Sequence, residues 1–317
     1  MSNLLRAAVI GVGYLGRFHA QKYKALEGRE DLNVKLVGVC DLNDAQAKAV
    51  GQELNVPSFT QPEQLLGQVD MVTIATITPT HYKLASQFLN ANVHVNVEKP
   101  ISLKCLEAGE LVRLAKEKGR VLSVGHSERF NPAFVELKKH LHKPKFLELS
   151  RHAPFKLRGS DVSVIHDLMI HDLDLMLSLD STRPRLVMAA AGKMITDTYD
   201  WANASFEFES GLKASISSSR ISPVMTRTLR AVQAESQFVA NLQTGDLEEV
   251  RPQKEGEKGT AIKTMNCGKG DNLLTETEHF VRAVHGLPHH SVSGEQAYRA
   301  LELAEQIVSF VESHRGF

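Results

Sequence analysis

A glycine-rich loop between an apolar strand and a helix constrains this chain more than any other feature. Residues 8–16 read Ala-Val-Ile-Gly-Val-Gly-Tyr-Leu-Gly, so Gly11, Gly13 and Gly16 form a G-x-G-x-x-G pattern. A helical pattern over residues 15–25 follows. In this setting the first glycine permits a tight turn, the second leaves the backbone open to a pyrophosphate, and the third lets helix and strand pack closely. The loop therefore predicts a dinucleotide-binding unit.

The residues around the loop specify the dinucleotide. Tyr14 and Leu15 begin the helix, whose free N–H groups favour an anion. A second apolar strand candidate ends just before Asp41, whose carboxylate can accept hydrogen bonds from both ribose hydroxyls. A 2′-phosphate would meet that carboxylate, and Leu42 and Asn43 offer no cation to hold it. We therefore expect NAD rather than NADP.

Strand and helix patterns alternate through the first 125 residues. The strand candidates are short and apolar: residues 7–10, 34–40, 71–75, 93–97 and 121–124. Between them lie helical patterns at residues 15–25, 44–54, 62–66, 81–90 and 103–118. This alternation predicts an α/β fold with a Rossmann-type, doubly wound parallel sheet, whose ligands lie at the carboxyl ends of the strands.

The pattern changes after about residue 126. Alternating strands are predicted at residues 201–209, 212–218, 226–232 and 237–241, a polar loop or ribbon at 251–270, and helices at 274–285 and 294–313. We expect two domains: an NAD-binding domain over residues 1–125, and a substrate-binding and oligomerisation domain over residues 126–317. The second is predicted to be α+β with a large, mostly antiparallel open sheet. Its uncovered face predicts a homodimer or homotetramer.

Composition narrows the class of protein. Lys+Arg and Asp+Glu both number 37 in 317 residues, which argues against nucleic acid or a membrane surface as the partner. The three cysteines, Cys40, Cys105 and Cys267, have no C-x-x-C spacing. Cys40 and Cys105 lie in apolar strand or helix contexts, which favours buried thiols in a reducing compartment. The first strand starts too early for a signal peptide, and no apolar run is long enough to span a bilayer. We expect a cytoplasmic protein with a small-molecule substrate.

Three later segments carry residues suited to chemistry. In the first, Asn-Val-Glu-Lys-Pro at residues 96–100, Lys99 ends a predicted strand at the cofactor edge of the sheet. It can donate to a substrate hydroxyl and lower the cost of removing its proton. The alternative is a surface lysine before a turn.

The second segment, residues 164–177, is predicted as a helix. Asp167, His171 and Asp174 are spaced i, i+4, i+7 and therefore share one face. A carboxylate beside an imidazole orients it and suits it to act as a general base, although a histidine that is only hydrogen-bonded is the alternative. His166 and His171 lie five residues apart and point to different faces, so no metal is expected.

The third segment, residues 125–132, follows the last predicted strand of the sheet. Arg129 can clamp an anionic substrate group, and Asn131 lies beside it. A structural ion pair is an equal alternative for Arg129.

Together these motifs resemble the family of glucose–fructose oxidoreductase, inositol dehydrogenase and rhizopine-catabolism oxidoreductases. The resemblance covers the whole chain and rests on the glycine loop, residues 78–81 (Thr-Pro-Thr-His), residues 98–100 (Glu-Lys-Pro) and Asp167-x-x-x-His171. It implies that Lys99, Asp167 and His171 form a catalytic triad. It also implies cofactor contacts from Thr76, Thr78, His81, Glu98 and Lys99. An intact triad disfavours the non-catalytic, dinucleotide-sensing members.

Two further stretches resemble the UDP-N-acetylglucosamine 3-dehydrogenase subgroup within that family. They are Gly-His-Ser-Glu-Arg-Phe-Asn-Pro-Ala at residues 125–133 and Arg-His-Ala-Pro-Phe-Lys-Leu-Arg-Gly-Ser-Asp-Val at residues 151–162. The resemblance implies oxidation of a sugar 3-hydroxyl to a ketone in lipid A synthesis. Independently, clustered cations would suit a nucleotide diphosphate: Arg129, Lys156, Arg158 and Arg220.

The sequence therefore predicts an NAD-dependent sugar dehydrogenase. Lys99 and His171 contact the substrate, His171 accepts the hydroxyl proton, Lys99 polarises the oxygen, and Asp167 orients His171. Exchange of roles between Lys99 and His171 stays open. The alternatives are a dehydrogenase of a free sugar or inositol-type polyol, and a regulator that senses a dinucleotide without turnover.

Overall fold

A computed structural model describes residues 3–157, 159, 161–253 and 258–314, which divide into two compact units. The first unit contains the chain up to Ser127 together with Asp271–Tyr298. The second contains Glu128–Gly270 together with the chain from Arg299 onward. A helix late in the chain, α7 (Asn272–Val284), thus belongs to the first unit. Helix α8 (Gly294–Ser313) contributes residues to both.

The first unit is built on a parallel sheet of six strands in the order β3-β2-β1-β4-β5-β6. The strands are β1 (Leu5–Ile10), β2 (Val34–Cys40), β3 (Ser58–Phe59), β4 (Met71–Ile74), β5 (His94–Glu98) and β6 (Leu122–Gly125). The helices are α1 (Tyr14–Leu26), α2 (Asp44–Leu54), α3 (His81–Asn90) and α4 (Cys105–Lys118). Every residue of β4 is buried, as expected of a strand covered on both faces. The predicted doubly wound parallel sheet is confirmed.

Short elements depart from the sequence prediction in this unit. Residues 62–66 were expected as a helix, and Pro62–Leu65 forms a 3₁₀ turn. The two-residue strand β3 was not predicted, because so short a segment has no periodicity to detect.

The second unit is built on an eight-stranded sheet in the order β14-β13-β12-β11-β7-β10-β9-β8. Its strands are β7 (Phe146–His152), β8 (Pro184–Gly192), β9 (Trp201–Phe208), β10 (Lys213–Ser219), β11 (Thr226–Val232), β12 (Gln237–Asn241), β13 (Asp246–Pro252) and β14 (Thr260–Asn266). All neighbours pair antiparallel except β7 and β10, which are parallel. Buried and half-buried residues alternate along β9, so one face packs on the core. The predicted mostly antiparallel sheet is confirmed.

Apart from its share of α8, the second unit has its helices between residues 127 and 179. Helix α5 (Pro132–His140) was not predicted. Residues 164–177 were expected as one α-helix, but Ile165–Met169 forms a π-helical turn before α6 (Ile170–Leu179). The three cysteines of the chain are free thiols. Cys40 is buried as expected, but Cys105, at the first residue of α4, is only half-buried. No helix in the described ranges is long and apolar enough to cross a membrane.

Candidate active site

The glycine loop has the geometry that a dinucleotide requires. Gly11 has a φ of +81°, and a Cβ there would lie 2.8 Å from the Ala75 carbonyl oxygen. At Gly16 a Cβ would lie 1.7 Å from the carbonyl oxygen of Gly11. At Gly13, by contrast, a Cβ would meet no atom of the described chain within 4 Å. Only glycine fits at positions 11 and 16, and the loop is open at 13, so the residues present fit a pyrophosphate against the backbone.

The N-terminus of α1 is suited to an anion. Its N-cap is Gly13, which provides no side-chain cap, and the first turn holds no acidic residue. The first N–H groups of the helix are therefore not capped by a side chain, and the helix dipole is not offset by a carboxylate. Tyr14 is 69% exposed beside this end.

Asp41 follows β2 and is tied to the glycine loop. Its Oδ2 accepts the backbone N–H of Val12 at 2.9 Å, and its Oδ1 accepts the N–H of Asn43 at 2.9 Å. These bonds orient the carboxylate without burying it, so it can still accept from a ribose. The neighbouring Leu42 is 79% exposed and carries no charge.

A hydrogen bond links the segment from Thr76 to His81 to Pro100, two residues after the end of β5. The Thr76 and Thr80 hydroxyls lie 2.7 Å apart. His81 is 1% exposed, with Nδ1 2.9 Å from the Pro100 carbonyl oxygen and Nε2 3.1 Å from that of Thr76. Burial lowers the pKa of His81, while the hydrogen bonds to the Pro100 and Thr76 carbonyls act in the opposite direction. Both ring nitrogens face the protein's own carbonyls, and cofactor contacts by Thr76, Thr78 and His81 stay predictions.

Lys99 follows β5 and is half-buried. Its backbone N–H donates to Glu98 Oε2 at 3.2 Å, and Glu98 Oε1 lies 2.7 Å from His19 Nε2 on α1. Glu98 is itself 7% exposed, and a Cβ at Gly125 would lie 2.8 Å from its Oε1. The predicted contact of Glu98 with the cofactor stays a prediction, since both its oxygens already accept protein hydrogen bonds.

Asp167 and His171 lie on either side of the change from π-helix to α-helix in the second unit. Both side chains are half-buried. A Cβ on Gly159 would lie 3.3 Å from Asp167 Oδ2, so the glycine permits the chain to pass close to this carboxylate. A π turn inside a helix is frequent at functional sites. Their catalytic roles, like that of Lys99, stay predictions.

Asp174 does not join them as an accessible third group. It is 1% exposed, and its two oxygens accept from Arg129 Nε at 2.6 Å and Nη2 at 2.7 Å. The pair matches the structural ion pair that was the alternative for Arg129. The role of Arg129 as a substrate clamp stays a prediction, since its guanidinium already binds a buried carboxylate.

Two other predicted substrate contacts are also engaged within the second unit. Asn131 Oδ1 caps α5 through the N–H of Ala133 at 3.1 Å, and its Nδ2 donates to the Leu242 carbonyl at 2.8 Å. Arg220 is 6% exposed and donates to the carbonyls of Gly159 and Val162. Lys156 is exposed, and Arg158 lies outside the described residues.

Sequence reasoning missed two buried polar groups. Arg151 in β7 pairs with Asp172 at 2.8 Å and with Glu128 at 3.4 Å. Glu276 on α7 accepts from Asn96 Nδ2 in β5 at 3.3 Å. Nothing local in the sequence marks these acids as buried, because their partners are distant in the chain.

Two family models match the chain. One, described as an oxidoreductase family with an NAD-binding Rossmann fold, matches residues 5–126. The other, the GFO/IDH/MocA C-terminal domain, matches residues 146–239. The chain belongs to this family. The family resemblance drawn from the motifs is confirmed, and so is NAD as the cofactor. The protein is an oxidoreductase.

The similarity to individual proteins is consistent with this family assignment. The chain is 36% identical over 313 residues to the UDP-N-acetylglucosamine 3-dehydrogenase of Acidithiobacillus ferrooxidans, covering 98% of each sequence. A solved structure of that dehydrogenase matches with a TM-score of 0.90 at 35% identity, covering 98% of this chain and 99% of the other. The myo-inositol 2-dehydrogenase of Thermotoga maritima is 25% identical over 342 residues, again covering 98% of each.

Proposed function

We propose that this enzyme oxidises the 3-hydroxyl of UDP-N-acetylglucosamine to a ketone, with NAD as the hydride acceptor. The observation that carries the proposal is the 36% identity, over 98% of both chains, to a UDP-N-acetylglucosamine 3-dehydrogenase. The sugar loses a hydride from C3 and a proton from the hydroxyl, so the reaction needs an acceptor for each. The ketone is the form that an aminotransferase converts to an amine, which is consistent with a role in lipid A synthesis.

The first unit supplies the residues that bind NAD. Bound NAD accepts the hydride at its nicotinamide ring. Gly13 and the start of α1 would bind the pyrophosphate, because no side chain caps this end of the helix and no described atom lies within 4 Å of a Cβ at Gly13. Asp41, held by Val12 and Asn43, accepts from the ribose hydroxyls of the adenosine.

Three residues carry the proton chemistry in this proposal. Lys99 donates a hydrogen bond to the substrate oxygen and stabilises the negative charge that develops on it. His171 accepts the hydroxyl proton, and Asp167 orients its imidazole. Lys99 and His171 can exchange these two tasks, because both can reach a hydroxyl with a nitrogen.

Binding the diphosphate of the substrate requires cationic side chains that are not already bound to acceptors within the protein. Arg129 and Arg220 already bind protein acceptors inside the second unit. Lys156 is exposed on the segment after β7, and Arg158 is two residues further along the chain. We assign the diphosphate to Lys156 and Arg158.

A substrate panel tests the function. We expect NADH formation, followed by its absorbance, with UDP-N-acetylglucosamine and little with inositol or glucose. Lys156→Ala should raise KM for the UDP-sugar by roughly tenfold to a hundredfold, the effect of one lost charge-assisted hydrogen bond, with a smaller change in kcat. Lys193→Ala, which removes another lysine of the second unit, is the matched control.

Two outcomes of the panel favour the other functions. Efficient oxidation of inositol with no reaction of the UDP-sugar would favour the free-polyol dehydrogenase, which the similarity to a myo-inositol 2-dehydrogenase supports. NAD binding with no turnover on any sugar would favour a dinucleotide sensor. A cytoplasmic location and a dimer or tetramer through the second sheet stay predictions.

Cofactor preference tests the role of Asp41. The double change Asp41→Ser with Leu42→Arg should shift the ratio of NAD to NADP affinity toward NADP by about tenfold to a hundredfold. It removes a carboxylate from the 2′-phosphate position and adds a charged donor. Asp41→Asn is the control, because it keeps an acceptor for Val12 while removing the charge. Tighter binding of NADP than of NAD by the unchanged enzyme in calorimetry would contradict the assignment.

A further inference from the structure

Three ionisable side chains form a buried cluster in the first unit. His19 on α1 is 0% exposed, Glu98 at the end of β5 is 7% exposed, and Glu276 on α7 is 1% exposed. Burying two carboxylates together is costly unless each is paired or neutral. The geometry of the glycine loop does not depend on any of the three residues, so their burial needs a different explanation.

Glu98 connects α1 to the backbone of Lys99. Its Oε1 lies 2.7 Å from His19 Nε2, and its Oε2 accepts the Lys99 N–H at 3.2 Å. With Nε2 protonated, His19 donates to one oxygen of Glu98 while the other holds the peptide from which the Lys99 side chain departs. The position of Lys99 therefore depends on Glu98 staying an ionised, correctly rotated acceptor.

The charges of the cluster favour that state. Burial by itself would raise the pKa of Glu98, but His19 and Lys99 together outweigh burial and lower it, with the hydrogen bond from His19 as the largest of these effects. Burial first, and then the negative charge of Glu98, raise the pKa of Glu276 well above its ordinary value. These directions favour a negative charge on Glu98 and a proton on Glu276.

Other groups that face the cluster add charge or polarity to it. Lys99 and His81 interact with the charge of Glu98, and Tyr23 is close enough that a charge on Glu276 would raise its pKa. Asn96 Nδ2 donates to Glu276 Oε1 at 3.3 Å, and Glu276 Oε2 has no hydrogen-bond partner among the described residues.

We propose that His19 is a positioning residue for Lys99, acting through Glu98, and that Glu276 keeps the single negative charge of the cluster on Glu98. The proposal rests on the function proposed above for Lys99. His19 touches neither substrate nor cofactor in it. Its effect is to keep the peptide at Lys99 in one place.

Replacement of His19 tests the connection. His19→Phe removes the donor at similar volume and should lower kcat by about tenfold to a hundredfold, the effect of one lost hydrogen bond to a charged group. His19→Gln restores a donor and should return kcat to within a few-fold of the unchanged enzyme. Tyr23→Phe removes another buried hydrogen bond of α1, the one to Thr73, and is the control for general loss of stability.

A second readout does not depend on turnover. In protein labelled with ¹⁵N-lysine, the Lys99 amide resonance, assigned by its absence in Lys99→Arg, should shift in His19→Phe and return toward its original position in His19→Gln. Unchanged kcat and an unchanged Lys99 resonance in His19→Phe would overturn the inference. Loss of turnover in Lys99→Ala would in that case leave the proposed role of Lys99 standing, whereas full turnover in Lys99→Ala would remove Lys99 from the mechanism. The substrate panel tests the proposed function separately.

The neutral state of Glu276 has its own test in the pH dependence of stability. Because the folded-state pKa of Glu276 is raised, the stability linked to its proton is present at low pH and is lost as the pH rises. Glu276→Gln removes this titration, so its melting temperature should gain on that of the unchanged protein as the pH rises above 4.5, the ordinary pKa of a glutamate. Glu278→Gln, on the same helix but in a partly exposed pair with Arg29, should show no such gain.

A bound ion is the competing explanation of the cluster. One nitrogen and two carboxylate oxygens of His19, Glu98 and Glu276 lie within 4.8 Å of one another, close enough to share a metal ion. An ion would hold both carboxylates ionised. One equivalent of metal per chain by elemental analysis of the purified enzyme would therefore overturn the neutral state of Glu276.

Discussion

Lys99→Ala and His171→Ala should each lower kcat by roughly 10²- to 10⁴-fold, the usual range for losing one positioned acid–base group. The backbone N–H of Lys99 donates to the side chain of Glu98, and His171 lies in the first turn of α6, directly after the π turn. Neither residue belongs to the glycine loop, so calorimetry should find NAD binding nearly unchanged in His171→Ala. In Lys99→Ala, whose side chain is also a predicted cofactor contact, NAD affinity should fall far less than turnover. The double variant should lose little more than the slower single variant, because residues that act as a unit are not additive.

Lys104→Ala is the matched control for Lys99, since Lys104 is an exposed lysine five residues further along the same segment. It should keep turnover close to that of the unchanged enzyme. Near-normal turnover in Lys99→Ala or His171→Ala would remove that residue from the mechanism. Loss of NAD binding in His171→Ala would indicate a structural histidine instead.

Arg129→Ala should lower the free energy of unfolding by about 3–5 kcal/mol, because it leaves one carboxylate buried without its partner. The Asp174 side chain is 1% exposed, and Arg129 Nε and Nη2 bind both its oxygens. Urea unfolding should show the loss as a lower midpoint with an unchanged slope. The effect on KM should be secondary to this loss of stability.

The paired replacement Arg129→Met with Asp174→Leu is the control for charge burial. Removing both charges at similar volume is often neutral for stability, so the double variant should recover most of the loss. If Arg129→Ala unfolds like the unchanged protein and only raises KM for a UDP-sugar, the guanidinium serves as the substrate clamp and not as a structural ion pair.

Much of the first unit could be predicted because its signals are local. The strand β2 and the helices α2 and α3 have the bounds that periodicity indicates, and the glycine loop lies between β1 and α1 as expected. A parallel sheet buried on both faces produces short apolar runs, and the helices between them show amphipathic spacing. The cofactor also followed from local residues, since a glycine pattern, a helix N-terminus and Asp41 together describe a dinucleotide site.

The second unit was predicted less completely, for identifiable reasons. Asn131 and Pro132 form an N-cap and a first helical residue, a start signal for α5, but Asn131 was interpreted as a substrate contact. Strand β7 lies between β11 and β10 although both are far along the chain, and its pairing with β10 is parallel. The spacing of apolar residues predicts that a segment is a strand, but not which other strands it pairs with. The π turn at Ile165–Met169 was missed because one extra residue in a helical turn leaves no clear trace in apolar spacing.

By itself the sequence determined the fold class, the family, the cofactor and the residues proposed for catalysis, because each rests on residues close together in the chain. Only the tertiary structure decided which charged groups are available to a ligand. Three hydrogen-bonded pairs join residues that are far apart in the sequence. The separation is 45 residues for Arg129 and Asp174, 79 for His19 and Glu98, and 180 for Asn96 and Glu276. The cost of burying a charge depends on its partner, and that partner is set by packing between elements distant in the chain.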